Sequence, residues 1–179
     1  KVVISAFVIC LVGLCIKMGF FPLHAWLPNA YSHAPDPVSS LVAPLVTKVM
    51  IYVMVRVMLY VFTPAFAFDV MTVGEPMVWL AIIAIVAGSF MALSTRRLKR
   101  MLTYIVVAEV GYMVGGFWLG NRLGISGAIL HIVNDAVMTY NTARENFPNN
   151  LVANFFAFKA AEFLEIESEE KREVPKVAF

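Results

Sequence analysis

Apolar residues fill five long stretches of this chain, and short polar breaks separate them. The stretches cover residues 2–21, 39–62, 77–93, 101–119 and 123–138. A helix needs about 20 mostly apolar residues to cross a hydrocarbon layer about 30 Å thick. The pattern therefore predicts an all-α membrane protein, a bundle of about five transmembrane helices. Pro22 interrupts the first stretch, because proline removes a backbone donor and disfavours helix in the residue before it. Gly19 adds to the break. Between Pro22 and Pro37 stand four prolines, Pro22, Pro28, Pro35 and Pro37, with His24, Trp26, Tyr31 and His33 among them. This segment predicts a Pro-broken or re-entrant helix plus loop. Irregular backbone survives at membrane depth only where protein or a water-filled cavity surrounds it, and broken membrane helices often mark transport sites. Ser39 or Ser40 is expected to cap the second helix, with Pro44 in its first turns.

The polar breaks orient the helices. Arg96, Arg97, Lys99 and Arg100 crowd one of them, which places that loop in the cytoplasm by the positive-inside rule. The loop 63–76 holds Asp69 and Glu75 and no basic residue, and falls outside. The Pro-rich segment 22–37 then returns to the cytoplasmic side, and the turn at Gly120–Arg122 is external.

Composition agrees with the pattern. The chain has 179 residues, 60% hydrophobic, and a mean hydropathy of +0.78. Soluble domains hold about 45–50% apolar residues. A formal charge of +2 gives no case for a nucleic-acid partner. Cys10 and Cys15, at i and i+5, lie on different sides of a helix and are expected to be unbridged apolar fillers. Lys1 runs straight into apolar sequence without an initiator Met or a small-residue cleavage site. The first stretch is thus expected to be a mature span rather than a signal peptide, with the true N-terminus upstream. Composition changes after Met138. Residues 139–179 are read as a polar tail: an amphipathic piece, Leu151–Leu164, suited to a surface, and a solvated last fifteen residues.

Ionisable residues inside the apolar stretches are the candidate chemistry, since a charge in a membrane span is costly and usually functional. Lys17 lies in the first span, where it either snorkels to the interface or holds a transferable proton. Lys48 lies near the middle of the second, where snorkelling is harder. Arg56, two turns further on, is read as a partner for a carboxylate. Glu109 stands eight residues into the fourth span, as a hydrogen-bonded acid or a lysine's partner. His131 and Asp135, at i and i+4, share a face of the fifth, and histidine is the side chain best poised to exchange protons near neutral pH. Two such ligands alone are weak evidence for zinc. His24 and His33, beside Pro22 at the helix break, either serve proton entry or bond freed backbone carbonyls. The set suggests a path for protons or cations. No P-loop, dinucleotide glycine fingerprint or CxxC appears, so nothing points to a nucleotide or iron–sulfur cluster held by this chain.

The segment Lys17–Arg56 reads KMGFFPLHAWLPNAYSHAPDPVSSLVAPLVTKVMIYVMVR. Lys17, Gly19, Pro22, His24, Trp26, Leu27, Pro28, Ala30, Ala34, Pro35, Pro37, Val38, Ser39, Lys48 and Tyr52 match the pattern of the proton-conducting membrane transporter family, which the segment closely resembles. That family includes the antiporter-like subunits of respiratory complex I, their membrane-bound hydrogenase counterparts and the large subunits of multi-subunit sodium/proton antiporters. Leu98, Lys99, Arg100, Leu102, Tyr104, Gly111 and Tyr112 resemble its second block, and residues 131–138 (HIVNDAVM) its histidine-bearing helix. The resemblance covers about residues 1–138. It implies an internal piece, beginning at the seventh helix, of an antiporter-like fold of about fourteen helices. It further implies a proton channel along the membrane midplane, with Lys17 as the lysine of the broken helix, paired with a glutamate two helices earlier. Lys48 would be the central lysine that passes protons sideways to His131. The driving electron transfer, iron–sulfur clusters and other redox cofactors would belong to partner subunits, membrane and hydrophilic, in a bacterial, archaeal or organellar inner membrane. Asn29, Pro44, Arg97, Glu109, Asp135 and Thr139 depart from the family pattern. Asp135 stands where many members have a second histidine, and Thr139 where a lysine commonly follows. After that the resemblance ends, so the chain is expected to be a fragment, or its tail to belong to something else.

The leading expectation is a proton-translocating subunit of a redox-driven complex. The alternatives are the large subunit of a multi-subunit sodium/proton antiporter, a transporter acting alone, and a non-pumping membrane anchor. The buried lysines speak against the anchor.

Overall fold

The computed structural model describes residues 1–145 and 149–164; the side chains of 36–44, 143, 149 and 152 lie outside that description. Each apolar stretch forms a helix: α1 Val2–Met18, α3 Asp36–Arg56, α4 Gly74–Ser94, α5 Leu98–Trp118 and α6 Arg122–Glu145. Two shorter helices accompany them, α2 Trp26–His33 in the Pro-rich segment and α7 Asn149–Phe155 after α6. Among the described residues there is no strand. Helices α4 and α5 are both long and apolar enough to cross a membrane, and α1 is a shorter apolar helix.

Helix α1 stops at Gly19, not at Phe21. Gly19 takes the left-handed conformation, φ +71°. Its N–H donates to the Ile16 carbonyl and the Phe20 N–H to the Cys15 carbonyl, the paired closure that glycine permits because it lacks a Cβ. The Trp26 indole N–H also donates to the Ile16 carbonyl at 2.8 Å, which ties α2 against the end of α1. Helix α3 begins at Asp36, after Pro35 at the N-cap. Ser39 and Ser40 therefore lie inside the helix rather than capping it, and Pro44 falls in the third turn. Pro37, the second helical residue, lacks an N–H where the first helical donors have no partner anyway, so it costs the helix no bond. At its far end α3 widens into a π-helix, Val57–Val61, and a second π segment, Ala65–Val70, crosses the loop expected at 63–76.

Helices α4 and α5 pack as a hairpin through small residues. Ala81, Ala84, Gly88 and Ala92 are buried on α4, and the first three face Ala108, Gly111 and Gly115 on α5. A Cβ on Gly88 would lie 3.0 Å from the Ala108 amide nitrogen and 3.1 Å from the Tyr104 carbonyl. Small residues that let backbones approach closely are the usual seam between membrane helices. The opposite face of α4 stays apolar and uncovered: Trp79, Val86, Phe90 and Leu93 are all exposed. A helix apolar on both faces belongs in lipid or against further helices. Phe7, Phe62 and Phe66 form an edge-on and stacked cluster that joins α1 to the π segments.

The topology read from charge places the 22–37 and 94–100 segments on one side. They meet in the structure, where the Lys99 ammonium donates to the Ala34 carbonyl at 2.9 Å. The chain after α6 departs from expectation. Helix α6 runs on past Met138 to Glu145, α7 ends at Phe155, and residues 158–164 return outside any helix rather than as part of an amphipathic one. The last fifteen residues, 165–179, lie outside the described residues.

Gly88→Leu should lower thermal stability in detergent by about 1–3 kcal/mol, since the atoms it would meet are backbone and cannot turn away. Unchanged melting would contradict this α4–α5 seam.

Candidate functional site

Three helices bring one charge cluster together. Lys48 on α3 is 5% exposed, and Asp135 on α6 is 7% exposed. The Lys48 Nζ makes an ion pair with the Asp135 carboxylate and donates to Glu109 Oε2 on α5 at 3.2 Å. The side chain of Glu109 is only partly buried, at 30% exposure. A buried ammonium is tolerable where carboxylates replace its lost hydration. One cation facing two carboxylates leaves a formal excess of one negative charge. A proton shared among three groups can therefore shift between them as the charge around the cluster changes.

The depth of these residues explains their meeting. Helices α3 and α5 both start on the Ala34–Lys99 side, and Lys48 is the thirteenth residue of α3 and Glu109 the twelfth of α5. At 1.5 Å per residue they stand about 18 Å and about 17 Å along their helices. This matched depth is a signal the sequence carries, and it selects the lysine's partner from the two roles open to Glu109. The Lys48–Asp135 pair has no such signal, because periodicity puts Asp135 on the same face as His131 and gives both one role.

The structure separates those two. Asp135 points into the cluster, whereas His131, one turn earlier, is exposed on α6. Four residues make slightly more than a turn, so a shared face is wide enough to hold one residue in a contact and the other beside it. Lys17 is exposed in the last turn of α1, apart from the cluster. Arg56 does not meet a carboxylate among the described residues. Its guanidinium lies 4.3 Å from the centre of the Tyr60 ring, a cation–π contact. Between α3 and α6 runs a cleft of ≈ 410 Å³, apolar except for Lys48 and the two tyrosines, Tyr52 and Tyr140, on its walls.

The two histidines of the Pro-rich segment differ. His33 is exposed, with Nδ1 2.8 Å from the Asn29 carbonyl and 3.2 Å from Ser32 Oγ. His24, in the turn between α1 and α2, is buried and stacks on Phe21, with ring centres 5.3 Å apart. Its Nδ1 has no partner among the described residues. Burial pulls its pKa below the usual histidine value, opposed by a backbone hydrogen bond at Pro22. Pro22 itself is exposed beside it. Cys10 and Cys15 are both free. No group of three metal-ligating side chains occurs among the described residues.

A multi-helix membrane protein whose core holds a lysine between two carboxylates is the class that fold and site define together: a membrane helix bundle with a buried ion-paired cluster. The chain belongs to the NADH:quinone oxidoreductase/Mrp antiporter transmembrane family, whose model matches residues 2–143, and it is an integral membrane protein. It is 46% identical over 137 residues to NADH-quinone oxidoreductase subunit N of Desulforudis audaxviator, covering 76% of this chain and 27% of that one. It is 32% identical over 135 residues to subunit N 1 of Rhizobium meliloti, covering 75% and 27%. A Na(+)/H(+) antiporter subunit of Alkalihalophilus pseudofirmus is 35% identical over 133 residues, covering 73% and 26%. The chain thus spans about a quarter of the length of these relatives. A second family model, the LemA family, matches residues 131–179 and overlaps the first along α6. Asp135 falls in the overlap.

A double-mutant cycle with Lys48→Met and Asp135→Ala should give a coupling of about 1–3 kcal/mol in unfolding experiments; additive effects would mean the pair contributes nothing. The folded protein disfavours the charged form of His24, so the unfolded chain binds a proton that the folded one resists. Stability is therefore full above the ordinary histidine pKa, about 6.5, and falls as pH drops below it. The difference in melting temperature between about pH 7.5 and about pH 5.5, on either side of that value, should shrink in His24→Gln. An identical difference in both proteins would remove His24 from the account.

Proposed function

We propose that residues 2–143 form part of the proton-translocating, antiporter-like subunit of a redox-driven membrane complex of the NADH-quinone oxidoreductase type, in a bacterial inner membrane. The observation that carries this reading is Lys48, buried and held between Glu109 and Asp135. A purely structural anchor gains nothing from that arrangement, because an apolar trio of similar volume packs at least as well. The 46% identity to one subunit N supports this type of complex, while other subunit N relatives, at 32–35%, stand level with the antiporter subunit at 35%. The sodium/proton antiporter is the second reading on the strength of that similarity.

Lys48 acts as the proton carrier. When charge shifts near the cluster, its ammonium gives a proton to Glu109 or Asp135, that carboxylic acid passes the proton on toward His131, and the neutral Lys48 amine, now beside two carboxylates, takes a new proton from the entry side. His131, one turn from Asp135 and exposed on α6, is the next acceptor along the midplane. Lys17, at the end of α1, and buried His24, at the turn behind Pro22, belong to the entry side, with the exposed His33 at its margin. Electron transfer and its iron–sulfur and other redox cofactors belong to hydrophilic partner subunits, further helices of the same antiporter-like fold complete the channel, and other membrane subunits flank it.

The test compares wild type with Lys48→Ala in inverted vesicles carrying the intact complex, recording proton uptake and electron turnover together. Proton uptake should be lost while turnover is retained or slowed. Unimpaired pumping in Lys48→Ala would overturn the assignment and return the chain to the anchor class.

A further inference from the structure

Asn134 and Asn141 do something that the proton pathway does not use. Each holds one residue of the returning segment by both of its peptide groups. The Asn134 amide N–H donates to the Leu164 carbonyl at 3.0 Å, and the Leu164 N–H donates back to Asn134 Oδ1 at 2.7 Å. Asn141 repeats this with Ala161, at 2.9 Å in both directions. The Tyr140 hydroxyl adds a bond to the Lys159 carbonyl at 3.0 Å. The segment therefore runs antiparallel to α6.

The spacing is matched. Seven helical residues advance about 10.5 Å, and three extended residues cover about 10 Å. A β-strand would turn the peptide groups of residues three apart to opposite sides. A path with three residues per turn returns them to the same side, and this is what two asparagines on one helix face can grip. The bonds go to main-chain atoms, so the grip reads backbone and not side chains. Depth gives the reason for it. Asn134 is the thirteenth residue of α6, about 18 Å along the helix. Backbone polar groups that deep have little water and must find protein partners, which the two carboxamides supply as a donor and acceptor each. The gripped segment also reaches the charge cluster, since Ala161 and Tyr140 share the walls of the cleft with Lys48. Every residue of this arrangement falls within the 131–179 LemA-family match.

We propose that Asn134 and Asn141 form a backbone-reading clamp, that its occupant is this chain's own segment 158–164, and that the clamped segment is a strap closing the side of the Lys48 cleft. The strap is independent of whether Lys48 carries protons, and its tests do not measure proton movement. Hydrogen exchange on the full chain in lipid nanodiscs should show protected amides at Ala161 and Leu164. Asn141→Asp keeps the acceptor for the Ala161 N–H and loses the donor, so protection at Ala161 should fall partway; Asn141→Leu should abolish it, with α4 and α5 unaffected. Exchange at unstructured rates in wild type would overturn the clamp. For the strap, a Cys10→Ala/Cys15→Ala background carries Ala136→Cys as a reporter in the cleft wall. Maleimide labelling should be at least about tenfold faster once Asn134→Ala and Asn141→Ala release the segment, the scale expected when several hydrogen bonds are lost together. Equal rates with and without the clamp would overturn the strap.

Discussion

A lysine ammonium cannot sit in the middle of a helix bundle without a counter-charge, and that constraint organises this protein. Lys48 draws α3, α5 and α6 to a common point, because Glu109 and Asp135 replace the water it gives up. The rest of the bundle serves to hold those three helices in place. The close α4–α5 seam fixes α5, and the Lys99 bond to Ala34 ties the start of α5 to the start of α3. The bonds from Gly19, Phe20 and Trp26 to the end of α1 set where the Pro-rich turn lies.

Much of this is legible in the chain. Length and polarity place five long helices, because a span has one requirement, about 20 apolar residues, and the breaks carry their own chemistry in proline and charge. Charge assigns the basic loop at 96–100 and the Pro-rich segment to one side, where they meet. Lys48 stands out as a charge too central to snorkel. Its partners are harder to see. Pairing is set by rotation and depth across helices, and sequence periodicity reports rotation within one helix only. His131 and Asp135 look equivalent for that reason, yet Asp135 lies in the cluster and His131 is exposed beside it. The charge of Arg56 points to a carboxylate, but the ring of Tyr60, one turn on, is the nearer partner.

The C-terminal part is the least legible. An amphipathic pattern over Leu151–Leu164 suggests a surface helix, but α7 stops at Phe155 and the chain turns back without forming a helix. The asparagines that hold it carry no hydrophobic signal and stand in a helix whose apolar pattern conceals them. The change of composition after Met138 does mark a boundary. Two family matches overlap there, one reaching residue 143 and the other beginning at 131, while the backbone passes through as one uninterrupted helix. Asp135 lies in the overlap, so the lysine of the first family is neutralised by a residue that both matches share.

The central claim is that Lys48, Glu109 and Asp135 exchange a proton. Infrared difference spectroscopy on the intact complex, resting against turning over, tests it most directly. The account predicts a carboxylic-acid C=O band that appears on turnover, weakens in Asp135→Asn and vanishes when Glu109→Gln is added. A band that never appears in wild type, or persists unchanged in the double variant, would contradict it.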